Sequence, residues 1–156
     1  MSIEGTPEVL ALLNDALRNE LTAVHQFLGH AELLEDWGLT KMSAHEREEA
    51  EEEKAHASLI AQRILLLGGQ PDYSQVGPVA LGADVRAVLE NDLALEKRAR
   101  ATLVDGIRTA EGVHDYVSRK LFAQILADEE AHENHLRIEL ELIGRIGLPN
   151  YIQAQM

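Results

Sequence analysis

The chain has 156 residues, 46% of them hydrophobic but only 4% aromatic, so a single domain over residues 1–156 with an aliphatic core is expected. Its 27 acidic against 14 basic side chains leave a formal charge of −13, which argues against nucleic acid as a partner and favours cations. With no cysteine, disulfides, iron–sulfur clusters and thiolate zinc sites are excluded.

The opening Met1-Ser2-Ile3-Glu4-Gly5 lacks a basic segment followed by an apolar stretch, so no secretory signal is expected. No apolar run approaches the ~20 residues needed to cross a bilayer, and a cytoplasmic protein without a membrane partner is expected. Thr6-Pro7-Glu8 starts a helix: a capping hydroxyl, a proline in the first turn, then an acid at the positive end of the dipole. The helical pattern runs to Trp37 and stops at Gly38. A second helix is expected over Thr40–Leu67, ending at Gly68-Gly69. Two prolines and two glycines make 70–82 a long loop. A third helix is expected from Ala83 to Glu111, closed by Gly112, and a fourth from His114 to Gly144. Gly147-Leu148-Pro149 then opens a short fifth ending near Gln155. Helices of ~30 residues are ~45 Å long and imply a bundle. Two short connections and one long one give two antiparallel hairpins joined by a crossover.

The chemistry lies along the seams that should be buried. Leu13, Leu17, Glu20, Val24, Phe27, Ala31 and Leu34 alternate spacings of four and three on the first helix, and Glu20 interrupts the apolar stripe. The third helix repeats this with Glu96 inside Val85, Leu89, Ala99, Leu103 and Ile107. The second and fourth carry the same interruption twice, Glu53-x-x-His56 and Glu129-x-x-His132. Residues three apart share a helix face, so each motif presents a carboxylate and an imidazole to one centre. A lone Glu-x-x-His is commonplace. Four interior acids without a matching basic cluster are not, because each unpaired buried carboxylate costs several kcal/mol. Four carboxylates and two imidazoles suit iron or manganese, and four negative charges balance two divalent ions. This is the recognised donor set of ferritin-like di-metal proteins.

Beyond the motifs, the chain resembles bacterioferritins along nearly its whole length. The resemblance is carried by Asn19-Glu20-Leu21, Asp36-Trp37-Gly38-Leu39, Asp92-Leu93-Ala94-Leu95-Glu96 and His114-Asp115-Tyr116-Val117-Ser118-Arg119. It continues through Asp128-Glu129-Glu130-Ala131-His132 and Asn150-Tyr151-Ile152-Gln153-Ala154-Gln155. It implies an all-α, ferritin-like four-helix bundle with one long crossover and a short fifth helix. It also implies iron storage in a shell of twenty-four subunits, with a ferroxidase centre of two iron ions per subunit that uses dioxygen or peroxide. Glu20 and His56 would be terminal ligands of one iron, Glu96 and His132 of the other, and Glu53 and Glu129 would bridge. The chain departs from the family at two positions. Phe27 stands where the family commonly has a tyrosine, which tells against a tyrosyl-radical step. Lys54 stands where a methionine ligates haem, which tells against haem b unless a haem-binding paralogue shares the shell.

Six glutamates fall between Glu46 and Glu53. A solvated helix face explains most such runs; the functional reading makes Glu49 and Glu52 part of an iron route. His25, His30, His45, His114 and His135 have no partner at ligand spacing and are expected to be surface or packing residues. Rubrerythrin-type peroxidases need a cysteine-ligated module, and hydrocarbon oxygenases are longer. DNA-protecting mini-ferritins place their ligands across a subunit interface. A passive structural subunit would not need six ligands.

Overall fold

A computed structural model describes residues 3–156; Met1 and Ser2, part of the N-terminal segment discussed above, lie outside the described residues. Five helices follow in order: α1 Pro7–Asp36, α2 Thr40–Leu66, α3 Val85–Gly112, α4 Tyr116–Ile146 and α5 Leu148–Ala154. The described residues contain no strand. The expected helices and crossover are present, with ends displaced by one or two residues. Helix α1 packs on α2, α3 on α4, and the two hairpins meet chiefly through α1 and α3.

Side chains fix the starts. Thr6 Oγ accepts from the Val9 N–H, and Asp84 accepts from the Ala87 N–H at 2.8 Å. Asp115 caps α4 by accepting from the Ser118 N–H at 3.0 Å, and Arg63 at the end of α2 donates to the same carboxylate at 2.8 Å. The cap of one hairpin is thereby tied to the other. Gly38 ends α1 at φ +80, as its position in the sequence suggested. Gly112 is the last residue of α3 and keeps a helical backbone, and the left-handed conformation falls two residues later, at His114 with φ 62.

The crossover runs beside α1, held by that helix's outward polar residues. Asn14 accepts from the Asp72 N–H at 2.9 Å, Thr22 from Gly77 at 2.8 Å, Gln26 from Ala80 at 3.1 Å and His30 from Gly82 at 2.9 Å. An irregular segment must satisfy its backbone somehow, and here one helix supplies the acceptors.

Packing divides the bundle into three levels. At one end Val9, Leu13, Leu17, Ile60, Leu103 and Phe122 form an apolar plug. At the other, Leu34, Met42, Leu89, Leu136, Ile143 and Tyr151 form a second, and α5 adds Tyr151, whose hydroxyl donates to Glu139. The level between holds only Ala23, Phe27, Ala50 and Leu95 as a buried apolar cluster. The interior polar residues occupy that middle level.

Candidate metal centre

Antiparallel packing brings Glu20 of α1, Glu53 and His56 of α2, Glu96 of α3, and Glu129 and His132 of α4 together; all six are buried. They form two overlapping groups. Glu20, Glu53, His56 and Glu129 each offer a donor atom within 4.8 Å of the others, and so do Glu53, Glu96, Glu129 and His132. Glu53 and Glu129 belong to both groups.

Both imidazoles point the same nitrogen inward. His56 Nδ1 lies 3.1 Å from Glu129 Oε1, 3.6 Å from Glu53 Oε2 and 3.8 Å from Glu20 Oε2. His132 Nδ1 lies 3.0 Å from Glu53 Oε1 and 3.7 Å from Glu96 Oε1. The outer nitrogens are engaged by carboxylates: His56 Nε2 with Asp128 at 2.8 Å, and His132 Nε2 with Glu52 at 2.9 Å. A carboxylate on the outer N–H fixes the tautomer and leaves Nδ1 free to bind a metal. Glu49 Oε2 also lies 2.8 Å from His132 Nε2, without completing a hydrogen bond.

Among the described residues, no lysine or arginine pairs with this cluster. Each of the six residues keeps at least one buried side-chain atom without a hydrogen-bond partner. Such orphaned groups are rare because each costs about 1–3 kcal/mol, more when charged. Without cations, protons do the compensating. Burial pushes the Glu96 carboxyl well above the usual range, reinforced by Glu129, and burial also raises Glu53. Glu129 is lowered, because hydrogen bonds from Glu96 and His56 outweigh its burial. Burial alone would lower His56, but Glu129 and Glu53 push it up to about 10. Glu49, Glu53 and Glu96 likewise outweigh burial at His132 and raise it far above the imidazole range. These donors suit two divalent cations, and the orphaned atoms converge where the ions would sit.

The other sequence readings fared unevenly. Glu48, Glu51 and Glu52 lie on an exposed face, as a solvated run requires. Glu49 is partly buried between His132 and His45, which hold its carboxyl down at about 2 despite burial. Phe27 is buried and borders a cavity of about 20 Å³ shared with Glu49, Glu96 and His132. Lys54 projects into solvent, its amine 4.0 Å from Glu51.

Four participants went unrecognised in the sequence. Asp128 orients His56, and Glu46, Asp92 and His30 form a buried cluster beside the centre. His30 is no surface residue. Its Nε2 accepts from Gly82 N–H, so Nδ1 carries the proton and donates to Asp92 at 2.9 Å. Both ring nitrogens are thus occupied, and His30 has no lone pair for a metal. His45 and His135 are also not independent surface residues: their ring centroids lie 4.3 Å apart.

Comparison with known proteins agrees with this architecture. Residues 10–146 match the family described as the ferritin-like domain. The chain is 42% identical to a bacterioferritin of Brucella melitensis over 97% of its own length and 94% of that protein's. It is 43% identical to a bacterial ferritin of Synechocystis over 99% of both chains. It is 40% identical to a bacterioferritin of Mycobacterium bovis, covering 93% of this chain and 91% of the other. A helical bundle with this match is a ferritin-like protein. Within that class, the chain belongs to the bacterioferritin family.

Proposed function

We propose that this protein stores iron and oxidises it at a di-iron ferroxidase centre inside each subunit. The observation that carries the proposal is the pair of donor groups sharing Glu53 and Glu129. One ion would be held by Glu20 and His56, the other by Glu96 and His132, with Glu53 and Glu129 bridging. Two ferrous ions bound there supply two electrons, enough to reduce one dioxygen to peroxide or one peroxide to water. The protein's part is geometric and electrostatic. Four carboxylates offset the ions' charge, Asp128 and Glu52 hold the imidazoles in register, and the apolar plugs above and below keep bulk water out. Glu49 and Glu52, reaching from a partly solvated face to His132, are suited to pass incoming iron to the centre.

We further infer a twenty-four-subunit shell that encloses the oxidised mineral. A homopolymer would bind little haem, because a lysine ammonium at position 54 offers no lone pair whereas a thioether does. A mixed shell, with a partner subunit supplying methionines, would reconcile ferroxidase activity here with haem elsewhere.

The test is anaerobic ferrous titration followed by stopped-flow oxidation in air. Two ions per chain should bind and oxidise in a fast phase that His132→Ala and Glu129→Ala abolish. A fast phase of unchanged amplitude in both variants would sink the assignment.

A further inference from the structure

Glu46 on α2 is 5% exposed and Asp92 on α3 only 1%, yet the two acids are neighbours. A carboxylate oxygen of each and a ring nitrogen of His30 lie within 4.8 Å of one another. Asp92 Oδ1 accepts from Gln26 at 2.8 Å and from His30 at 2.9 Å, and among the described residues no lysine or arginine pairs with either acid. Two carboxylates this close in an interior cannot both ionise, so the pair holds one proton. With two donors already aimed at Asp92, that proton belongs to Glu46, in keeping with the upward push that burial and Asp92 exert on its carboxyl. Glu46 also borders two spaces. Inward is the cavity of about 20 Å³ that reaches Glu96 and His132, polar and large enough for about one water. Outward is a cleft of about 240 Å³, bordered also by Lys41 and Tyr151.

We propose that Glu46, with Asp92 as its partner, passes protons from the outer cleft through one water to the dinuclear centre. The inference rests on the ferroxidase reading. Two ferrous ions give up one electron each; dioxygen takes both electrons with two protons, its π bond gives way to two O–H bonds, and hydrogen peroxide leaves. Those protons must reach a level closed above and below by apolar plugs. Glu46 gives its proton to the cavity water and is reprotonated from the cleft. Iron cannot use the same post. Both nitrogens of His30 are occupied, and a cavity with room for one water takes no hydrated cation. The other ionisable groups around these two spaces are Glu49 and His45 on the same helix, Glu96 on α3, and His132, His135 and Glu139 on α4. Neither Glu46 nor Asp92 is one of the six donors, so replacing Glu46 leaves every ligand in place.

The test compares full-length assembled parent, Glu46→Gln and Glu46→Ala. Glutamine keeps the shape and a donor toward Asp92 but has no acidic proton. Infrared spectra of the metal-free protein should therefore lose one protonated-carboxyl band in Glu46→Gln. Cobalt(II) should fill the centre of that variant with the parent's stoichiometry and affinity, while the fast phase of ferrous oxidation slows at least about tenfold. Glu46→Ala should be slow too and should recover with formate, a small acid that fits the emptied space. Formamide, of similar size without an acidic proton, should not help. Parent-like oxidation by Glu46→Gln, an unchanged infrared spectrum, or a loss of cobalt affinity that matches the loss of rate would each overturn the proposal, as would equal rescue by formate and formamide. If Glu46→Ala failed to assemble, the Glu46→Gln measurements would decide alone. A parent without any fast phase would overturn the ferroxidase reading and this inference with it, whereas a fast phase shared by parent and Glu46→Gln would overturn this inference alone.

Discussion

Glu46 shows how much depends on where a single carboxyl sits. It belongs to a run of six glutamates, yet it is buried and faces Asp92. Burial, reinforced by the Asp92 carboxylate, raises its pKa well above the ordinary value of 4.5. The folded state therefore holds a proton that the unfolded chain releases, and stability falls as pH rises above that ordinary value toward the folded one. Glu46→Gln keeps a donor toward Asp92 and removes the titration. Urea unfolding should show the variant gaining on the parent by up to about 1.4 kcal/mol per pH unit between about pH 5 and pH 7. Equal stability at both ends of that range would refute the buried proton. A related outcome concerns the centre. His56 and His132 both hold a proton in the metal-free state, so filling it at neutral pH should release at least those two protons per chain, measurable with an indicator dye. Phe27 adds a third expectation at this scale: rapid-freeze magnetic resonance during iron oxidation should show little tyrosyl radical, whereas a strong signal would assign that role to Tyr116 or Tyr151.

Among the helices, the ends set the vulnerable points. Asp115 caps α4 and receives both Ser118 and Arg63, so Asp115→Ala should cost about 1–2 kcal/mol in thermal or urea unfolding. His114 is the converse case. A non-glycine residue in the left-handed region is strained, and His114→Gly should stabilise by about 1 kcal/mol in thermal unfolding. Helix spans and the six interior donors were legible in the sequence because each is written in one helix's periodicity: an acid on an apolar stripe, repeated on four stripes, announces itself. What was not legible depends on pairs of helices. Glu46 shares the alternation of four and three with Met42, Glu53, His56 and Ile60, so its burial was readable along α2, unlike the placing of the exposed Glu48; what that spacing does not give is its partner, Asp92 on α3. Asp128 hides beside Glu129 for the same reason, since its role is defined by His56 on another helix. The His45–His135 contact joins α2 to α4, 90 positions apart in number, and no spacing rule along one chain segment reveals it.

For the whole subunit, apolar side chains left in solvent bear on assembly. Leu65, Leu66, Tyr116 and Val117 are exposed near one end of the bundle, and Tyr73 and Leu81 along the crossover. In the proposed shell these side chains would be covered by neighbouring copies. Light scattering should return a mass about twenty-four times 17.3 kDa. Haemochrome analysis of the homopolymer grown with ample haem should find little, and Lys54→Met should restore binding. Near-stoichiometric low-spin haem in the unmodified homopolymer would show the reading of Lys54 to be wrong.

The crossover, though irregular, should exchange some of its amides late when the protein is placed in heavy water. Its amides at Gly77, Ala80 and Gly82 are tied to Thr22, Gln26 and His30, and the last two of these also reach the buried Asp92. The Ala80 and Gly82 amides are freed only when the crossover leaves Gln26 and His30, which Asp92 of α3 holds in place, so deuterium should enter those two positions late. Loop amides that exchange as late as the helical core, and earlier in a Gln26→Leu variant, would turn this segment into a built-in reporter of its own release from α1.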